Sequence, residues 1–325
     1  MHVLCVNDTK AFLTAPTQND NKYTRGVVGI IAGSSDYPGA SILVTEAAVQ
    51  AGAGYVRYIG PRRCEDLILS RRPEVVIHDG RTDVWVIGPG ITQLHVDQRF
   101  PLITTILSQA SQYTACVIDA GALETFAQYA VTHKASYSHV VITPHTGELL
   151  QLLHSLQVNE VKQDSITAHP AQWAIYTSHL LQCCVVLKGA ETFIAIPEDN
   201  NSEQSLCLSV KAPTFWLSTA GTGDILAGII GSLLAQNKNR FINNQQRITA
   251  IATGVMLHGY AAGLASHVLT EHQLIDPMQS TIGMMNSPHR YAGHPLTALQ
   301  IAHYIPQARE LIMNSLLVKE KNNRL

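Results

Sequence analysis

Charge is scarce in this chain. Only 14% of its 325 residues are charged, the net charge is −2, and no dense run of Lys or Arg occurs. With 46% hydrophobic residues the chain can bury a large core, which excludes a solvated, disordered polymer. The missing basic stripe makes nucleic acid a poor partner and leaves room only for local binding of small anions. Cysteine is also sparse, and none of the six (Cys5, Cys64, Cys116, Cys183, Cys184, Cys207) forms a C-x-x-C pair. Cys116, Cys183 and Cys184 lie in apolar, strand-like runs, so buried reduced thiols in a reducing compartment are expected. Met1 to Lys10 lacks the apolar core of a signal peptide, and no apolar run reads as a bilayer span. The expectation is a cytoplasmic protein with no membrane contact. Fifteen histidines are present without H-E-x-x-H or similar ligand spacing, so no protein-built metal site is expected.

Apolar runs of strand length alternate with stretches of helical periodicity. Strands are expected at Val27 to Ala32, Tyr55 to Ile59, Glu74 to Ile77, Val84 to Ile87, Ala115 to Ile118, Val140 to Ile142, Cys183 to Leu187, Thr192 to Ile196 and Leu206 to Val210. Helices are expected at Ala40 to Ala51, Val96 to Gln109, Leu123 to Tyr129, Gly147 to Leu153, Ala171 to Leu181, Ile225 to Ala235, Arg247 to Ala265 and Ala298 to Leu316. This alternation predicts an α/β fold: a mostly parallel central sheet with helices on both faces. No composition break marks a linker, so one domain over residues 23–316 is expected. Residues 1–22 read as an irregular lead-in and 317–325 as a polar tail. His272 to His294, rich in Met, Ser, Pro and Gly, reads as a loop or insertion.

The most informative stretch is Ala220-Gly221-Thr222-Gly223-Asp224, which runs straight into an apolar helix. Its glycines permit a tight turn that presents bare N–H groups at the positive end of the helix dipole, a place for a phosphate. Asp224 beside that anion hole suits a general base; the ordinary reading is that it merely N-caps the helix. Ligands in open α/β sheets bind beyond the carboxyl ends of strands. Five further segments hold such positions: Gly33 to Ala40, Gly88-Pro89-Gly90, Asp119 to Leu123, Thr143 to Glu148 and Lys188 to Thr192. Each has an ordinary reading. The glycine runs can be turns, Asp119 can cap the helix after it, Thr143 or Thr146 can cap the next, and Lys188 can be a solvated turn residue. In functional terms Asp119 binds a hydroxyl or a metal-bridged water, His145 contacts substrate, Glu148 faces a phosphate or metal-bound water, and Lys188 meets a nucleotide phosphate. Ala51-Gly52-Ala53-Gly54 follows a helix rather than a strand, so it reads as a helix end and not as a dinucleotide fingerprint.

In order, these motifs resemble those of the NAD(P)H-hydrate dehydratase family of the ribokinase-like fold. Leu257-His258-Gly259 and Ala262-Gly263 also fit, and the resemblance covers about residues 23 to 316. It implies a three-layer α/β/α ribokinase-like fold and a repair enzyme. Such an enzyme uses a nucleotide to phosphorylate the hydroxyl of hydrated NADH or NADPH (the S epimer), and loss of phosphate restores the ring. The form Ala220 to Gly228 is similar to the ADP-dependent branch, which releases AMP and phosphate. The resemblance implies ADP (or ATP) and Mg²⁺ as co-substrate and cofactor, and an oligomer of two or four copies.

Carried over by position, Ala40, Gly90 and His145 would contact the hydrated dinucleotide. Lys188, Gly189, Ala190, Glu191, Thr192 and Gly223 would hold the adenine nucleotide. Asp224 would contact the substrate hydroxyl and remove its proton, with the Gly221, Thr222 and Gly223 backbone stabilising the transferring phosphoryl group. Two departures stand out. No room is expected for the epimerase domain that many members carry, and Gly121 stands where an acidic residue is common. A vitamin or sugar kinase of the same fold, and a non-catalytic dinucleotide-binding protein, are the competing readings.

Overall fold

Strands covered on both faces read as continuous apolar runs, because neither face can be polar. The computed structural model describes residues 2–3, 9–92, 97–110, 114–197, 205–241, 243–269 and 293–314. Its nine strands are β1 (His2–Val3), β2 (Val27–Ile31), β3 (Tyr55–Ile59), β4 (Val84–Ile87), β5 (Ala115–Ile118), β6 (Tyr137–Ile142), β7 (Cys183–Leu187), β8 (Glu191–Pro197) and β9 (Ser205–Lys211). They form one sheet in the order β1-β9-β8-β7-β6-β5-β4-β2-β3. From β3 to β7 every pairing is parallel, whereas β7-β8 and β8-β9 are antiparallel.

The helices are α1 (Pro38–Gln50), α2 (Arg62–Arg71), α3 (Phe100–Ala110), α4 (Leu123–His133), α5 (Thr146–Ser155), α6 (Gln163–Ala168), α7 (Pro170–Leu181), α8 (Thr222–Gln236), α9 (Asn244–Ala265) and α10 (Ala298–Asn314). Alternate residues of each strand feed two cores. Cys116 and Ile118, Val140 and Ile142, and Cys183, Val185 and Leu187 pack with α3, α4, α5 and α7. Val117, Val141, Cys184 and Val186 pack with α1, α8 and α9 on the other face. This is the expected mostly parallel α/β/α architecture.

The six apolar residues of α8 do not share one face. Leu226, Ile230 and Leu234 meet the sheet, while Ile225, Ile229 and Leu233 join a third cluster with α9 and α10. A helix buried on two sides loses its polar stripe. The same holds for α9, which is long and apolar enough to cross a membrane yet is 94% buried inside the protein over its most apolar window. The expectation that no run reaches that length is therefore corrected: burial against sheet and helices explains the composition.

Other expectations need adjustment. Glu74 to Ile77 is not a strand. It leaves α2 through a turn at Pro73, and only Val76 forms a bridge, with Arg57 on the edge strand β3. Helices α2 and α6 were not expected. In α2 only Cys64 and Ile68 are buried, and α6 has a single buried residue, Ile166, too little to set a period.

Nor is the lead-in wholly irregular. His2–Val3 pairs in parallel with β9, Leu13 is buried, and the carbonyls of Ala11, Phe12 and Thr14 accept hydrogen bonds from Arg240, Asn237 and Arg309. Residues 272–292 of the expected insertion and the tail 317–325 lie outside the described residues.

Candidate active site

The carboxyl ends of β2, β4, β5, β6 and β7 and the start of α8 converge on one region. Two loops form its first wall. Gly33 N–H donates to the Pro89 carbonyl (2.7 Å), joining the loops after β2 and β4. Gly90 has φ +68°, and a Cβ placed there would lie 2.6 Å from the Ala40 Cβ. The left-handed backbone and the close approach both require glycine, and they bring Ala40 and Gly90 into contact. Arg99 locks this wall from behind. Its guanidinium donates to the carbonyls of Ala32 and Gly33 (both 2.8 Å) and is held by Asp97. The Tyr58 hydroxyl also donates to the Ala32 carbonyl (2.7 Å). Sequence reading placed Arg99 inside a helix; it lies in the turn before α3, and nothing local signals contacts 66 and 67 residues away.

The second wall is polar. Asp119, 2% exposed, accepts from Thr143 Oγ1 (2.7 Å) and from Lys188 Nζ (2.8 Å). Lys188 also lies 3.5 Å from Glu148. Burial works against the Lys188 ammonium, but Asp119 and Glu148 hold it charged, above the ordinary lysine range. Asp119 therefore does not cap the helix after it, and Lys188 is not a solvated turn residue. Neither Thr143 nor Thr146 caps α5. His145 does so, its Nδ1 accepting from the N–H groups of Gly147 and Glu148, while Glu148 accepts from the His145 N–H in a capping box. Two donors on Nδ1 place the proton of a neutral ring on Nε2, which lies 3.6 Å from Glu148 Oε1. Gly121 packs where a Cβ would sit 1.8 Å from the Ile91 carbonyl oxygen, so no acidic side chain fits there in this chain.

Asp224 stands between the two walls at the start of α8. Gly221, the N-cap, has φ +86°, and a Cβ there would be 2.5 Å from Leu43 Cδ1 and 3.1 Å from Ala298 Cβ. The Thr222 hydroxyl donates to the carbonyls of Leu217 (2.9 Å) and Thr219 (3.0 Å), so it shapes the loop. The Thr222 N–H donates to the Thr219 carbonyl (3.4 Å), while the N–H groups of Gly223 and Asp224, in the first turn, have no backbone acceptor among the described residues and can meet an anion. Gly223 borders Lys188, whose Nζ would be 3.3 Å from a Cβ at that position. Burial, then the charge of Asp119, push the Asp224 carboxyl up to about 7; Lys188 pulls it down and Glu148 pushes it up. The helix dipole alone would predict a fully ionised carboxylate. Desolvation and two neighbouring carboxylates outweigh it, and the result is a group poised to exchange a proton near neutrality.

A cavity of about 430 Å³ opens beside this point. Lys188, Gly189, Ala190, Thr192, Thr222 and Gly223 line it, with His145 at its edge. Glu191 does not; it faces Lys211 at 3.9 Å on the neighbouring strand, because side chains alternate along β8. Of the segment Lys188 to Thr192, the structure thus brings Lys188, Gly189, Ala190 and Thr192 to the cavity and not Glu191. His145, expected on the substrate side, borders this cavity as well.

The profile of the NAD(P)H-hydrate dehydratase family matches residues 28–281. The bifunctional NAD(P)H-hydrate repair enzyme of Corynebacterium glutamicum is 33% identical over 77% of this chain and 45% of its own length. The ADP-dependent (S)-NAD(P)H-hydrate dehydratase of Lactococcus lactis is 30% identical over 78% of this chain and 88% of its own length. The chain thus spans just under half the length of the bifunctional relatives. Among solved structures, a Bacillus subtilis ADP/ATP-dependent NAD(P)H-hydrate dehydratase co-crystallised with ATP/Mg²⁺ aligns with a TM-score of 0.70 and 22% identity, over 95% of this chain and 98% of that one. A ribokinase-like protein of Enterococcus faecalis aligns with a TM-score of 0.69 and 24% identity, over 95% of each chain. Both share the expected fold.

Proposed function

Because this chain belongs to the NAD(P)H-hydrate dehydratase family, we propose that it returns the S epimer of hydrated NADH or NADPH to the intact cofactor at the expense of ADP. The observation that carries this reading is Asp224: a carboxyl at about 7 beside free helix N–H groups, between the wall at Ala40 and Gly90 and the cavity at Lys188 to Thr192. The hydrated nicotinamide lies against the wall at Ala40 and Gly90, and the cavity takes the nucleotide.

Asp224 accepts the proton of the ring hydroxyl as its oxygen attacks the terminal phosphoryl group. The Gly221 to Gly223 backbone and Lys188 face the charge that develops, and they are fixed beforehand, so little reorganisation opposes the transfer. AMP leaves; departure of phosphate from the ring, with loss of a proton from the adjacent ring carbon to solvent, forms the ring double bond and restores the reduced nicotinamide.

Among the described residues no group of three or more His, Cys, Asp or Glu side chains converges as a metal site. A Mg²⁺ ion would be carried mainly by nucleotide phosphate oxygens and water, with Glu148, 3.5 Å from Lys188, as the carboxylate that would hold it through water. When bound, the ion supplies neutralisation of phosphate charge.

Asp224→Asn tests the assignment. It keeps the size of the side chain, which is not the helix cap, but cannot take the proton. The variant should fold, bind ADP and hydrated NADH with near-normal affinity, and lose about 10²–10⁴-fold in kcat. A kcat within a few fold of the parent protein would remove Asp224 from the mechanism.

A further inference from the structure

A second groove lies beside the start of α1, and none of the assigned site residues lines it. It measures about 510 Å³, a size that holds small-molecule ligands. Ile42, Leu43, Leu67 and Leu299 make it mainly apolar. Gly39, in the first turn of α1, and Arg71, in the last turn of α2, line it as well. A Cβ at Gly39 would meet no atom within 4 Å, so the groove is open there.

The groove is continuous with the reacting site. Gly39 directly precedes Ala40 of the first wall. Leu43 forms a second link: a Cβ placed at Gly221 would lie 2.5 Å from Leu43 Cδ1 and 3.8 Å from Asp224 Oδ2. The apolar surface of the groove thus begins beside the Asp224 carboxyl. Arg71 stands further along α1. Its Nε donates to Glu46 Oε2 (3.2 Å), and Glu46 comes seven positions after Gly39, about 10 Å along the helix. Glu46 is already served by Arg72, which engages both carboxylate oxygens, through Nε (2.8 Å) and Nη2. Arg71 Nη2 meets His303 Nε2 (3.0 Å), whereas its Nη1 has no hydrogen-bond partner among the described residues. With its side chain 36% exposed, this guanidinium can take an anion in the groove.

We infer that this groove holds the adenylate half of the hydrated dinucleotide, with the base against Leu43, Leu67 and Leu299 and with Arg71 on a phosphate of that half. The inference rests on the hydrated-dinucleotide reading of the substrate and adds where its second nucleotide lies. A nicotinamide set against Ala40 and Gly90 leaves that nucleotide to be placed, and ADP fills the cavity at Lys188 to Thr192 in the same complex. The groove offers a concave surface beside Asp224, apolar enough for a flat base and with one cation for a phosphate. That phosphate is the one on the adenosine 5′ oxygen or, in hydrated NADPH, the one on the 2′ oxygen.

Initial rates of the full chain at saturating ADP test the placement, with hydrated NADH, hydrated NADPH and hydrated reduced nicotinamide mononucleotide, which lacks the adenylate half. Parent kcat/KM should be at least about tenfold higher for the dinucleotides than for the mononucleotide. Leu67 is 37% exposed on α2, so Leu67→Glu is compatible with the fold; its carboxylate, one turn before Arg71, pairs with it and opposes a phosphate. KM for both dinucleotides should rise about tenfold or more. Arg71→Ala should raise KM on the order of 10- to 100-fold, for both dinucleotides if the 5′-linked phosphate is its partner and for hydrated NADPH alone if the 2′-phosphate is. Neither variant should change KM for ADP, or kcat/KM for the mononucleotide, by more than about twofold. Parent kcat/KM as high for the mononucleotide as for the dinucleotides would overturn the placement. So would either variant with parent-like KM for both dinucleotides, or an equal loss on the mononucleotide, which marks a general collapse. A parent protein that turns over none of the three hydrates would instead sink the proposed function, and the occupant of the groove with it.

Discussion

The pH dependence of turnover separates a base at Asp224 from an ordinary carboxylate. With the Asp224 carboxyl at about 7, roughly a tenth of the free enzyme carries the ionised base at pH 6 and roughly nine tenths at pH 8. Initial rates at low hydrated NADH and saturating ADP should therefore rise about tenfold in kcat/KM across that interval. A carboxyl at the ordinary aspartate value of 3.8 would give a flat profile there. The neighbours supply opposite signs. Lys188→Met removes the charge that pulls Asp224 down, so the acid limb should move to higher pH. Asp119→Asn removes a charge that pushes it up, so the limb should move to lower pH. A flat profile from pH 5.5 to 8, or both variants moving the limb the same way, would refute the reasoning. Stability must follow the same group with the opposite consequence. The folded carboxyl lies above its unfolded value, so the folded state binds the extra proton. Stability is then highest below about pH 4 for this group alone and declines as pH rises towards about 7. Asp224→Asn should for this reason melt higher than the parent at pH 8, by a few degrees, and show little gain at pH 4.

The remaining predictions concern the scaffold. Gly221→Ala forces a side chain onto φ +86° and against Leu43; it should lower Tm by about 3–4 °C for about 2–3 kcal/mol lost, and cut kcat about 10²-fold or more as the anion hole shifts. Parent-like melting and turnover would show that the loop tolerates another backbone. Arg99→Met removes two charge-assisted hydrogen bonds to Ala32 and Gly33; KM for the hydrated dinucleotide should rise about tenfold with KM for ADP unchanged. A rise in both KM values would mean that Arg99 supports the whole fold and not the first wall.

The parallel sheet was legible because strands buried on both faces leave long apolar runs, and Val84 to Ile87, Ala115 to Ile118 and Cys183 to Leu187 appear at those bounds in the structure. The approximate places of the strand-end loops followed from that. What could not be read is what depends on contacts between distant residues. Arg99 reaches carbonyls 66 and 67 positions away. Lys188 is drawn inward by Asp119, 69 residues before it, and a turn lysine looks the same in sequence whether it is solvated or buried. The charge state of Asp224 depends on desolvation and on three charged neighbours from three other elements, whereas the local sequence reveals only the helix dipole. That Glu191 lies off the cavity has a simpler reason: the segment was read as a unit, while alternation along β8 turns one residue of it away. Helix α2 escaped notice because only two of its residues are buried.

The central claim is the reaction itself. Purified full-length chain, the S epimer of hydrated NADH, Mg²⁺ and ADP should together restore the absorbance of reduced nicotinamide, with one AMP and one phosphate formed per NADH. Accumulation of a stable phosphorylated hydrate with no return of NADH would mark a kinase. No turnover with ADP or ATP, from protein that binds both nucleotide and hydrate, would contradict the account.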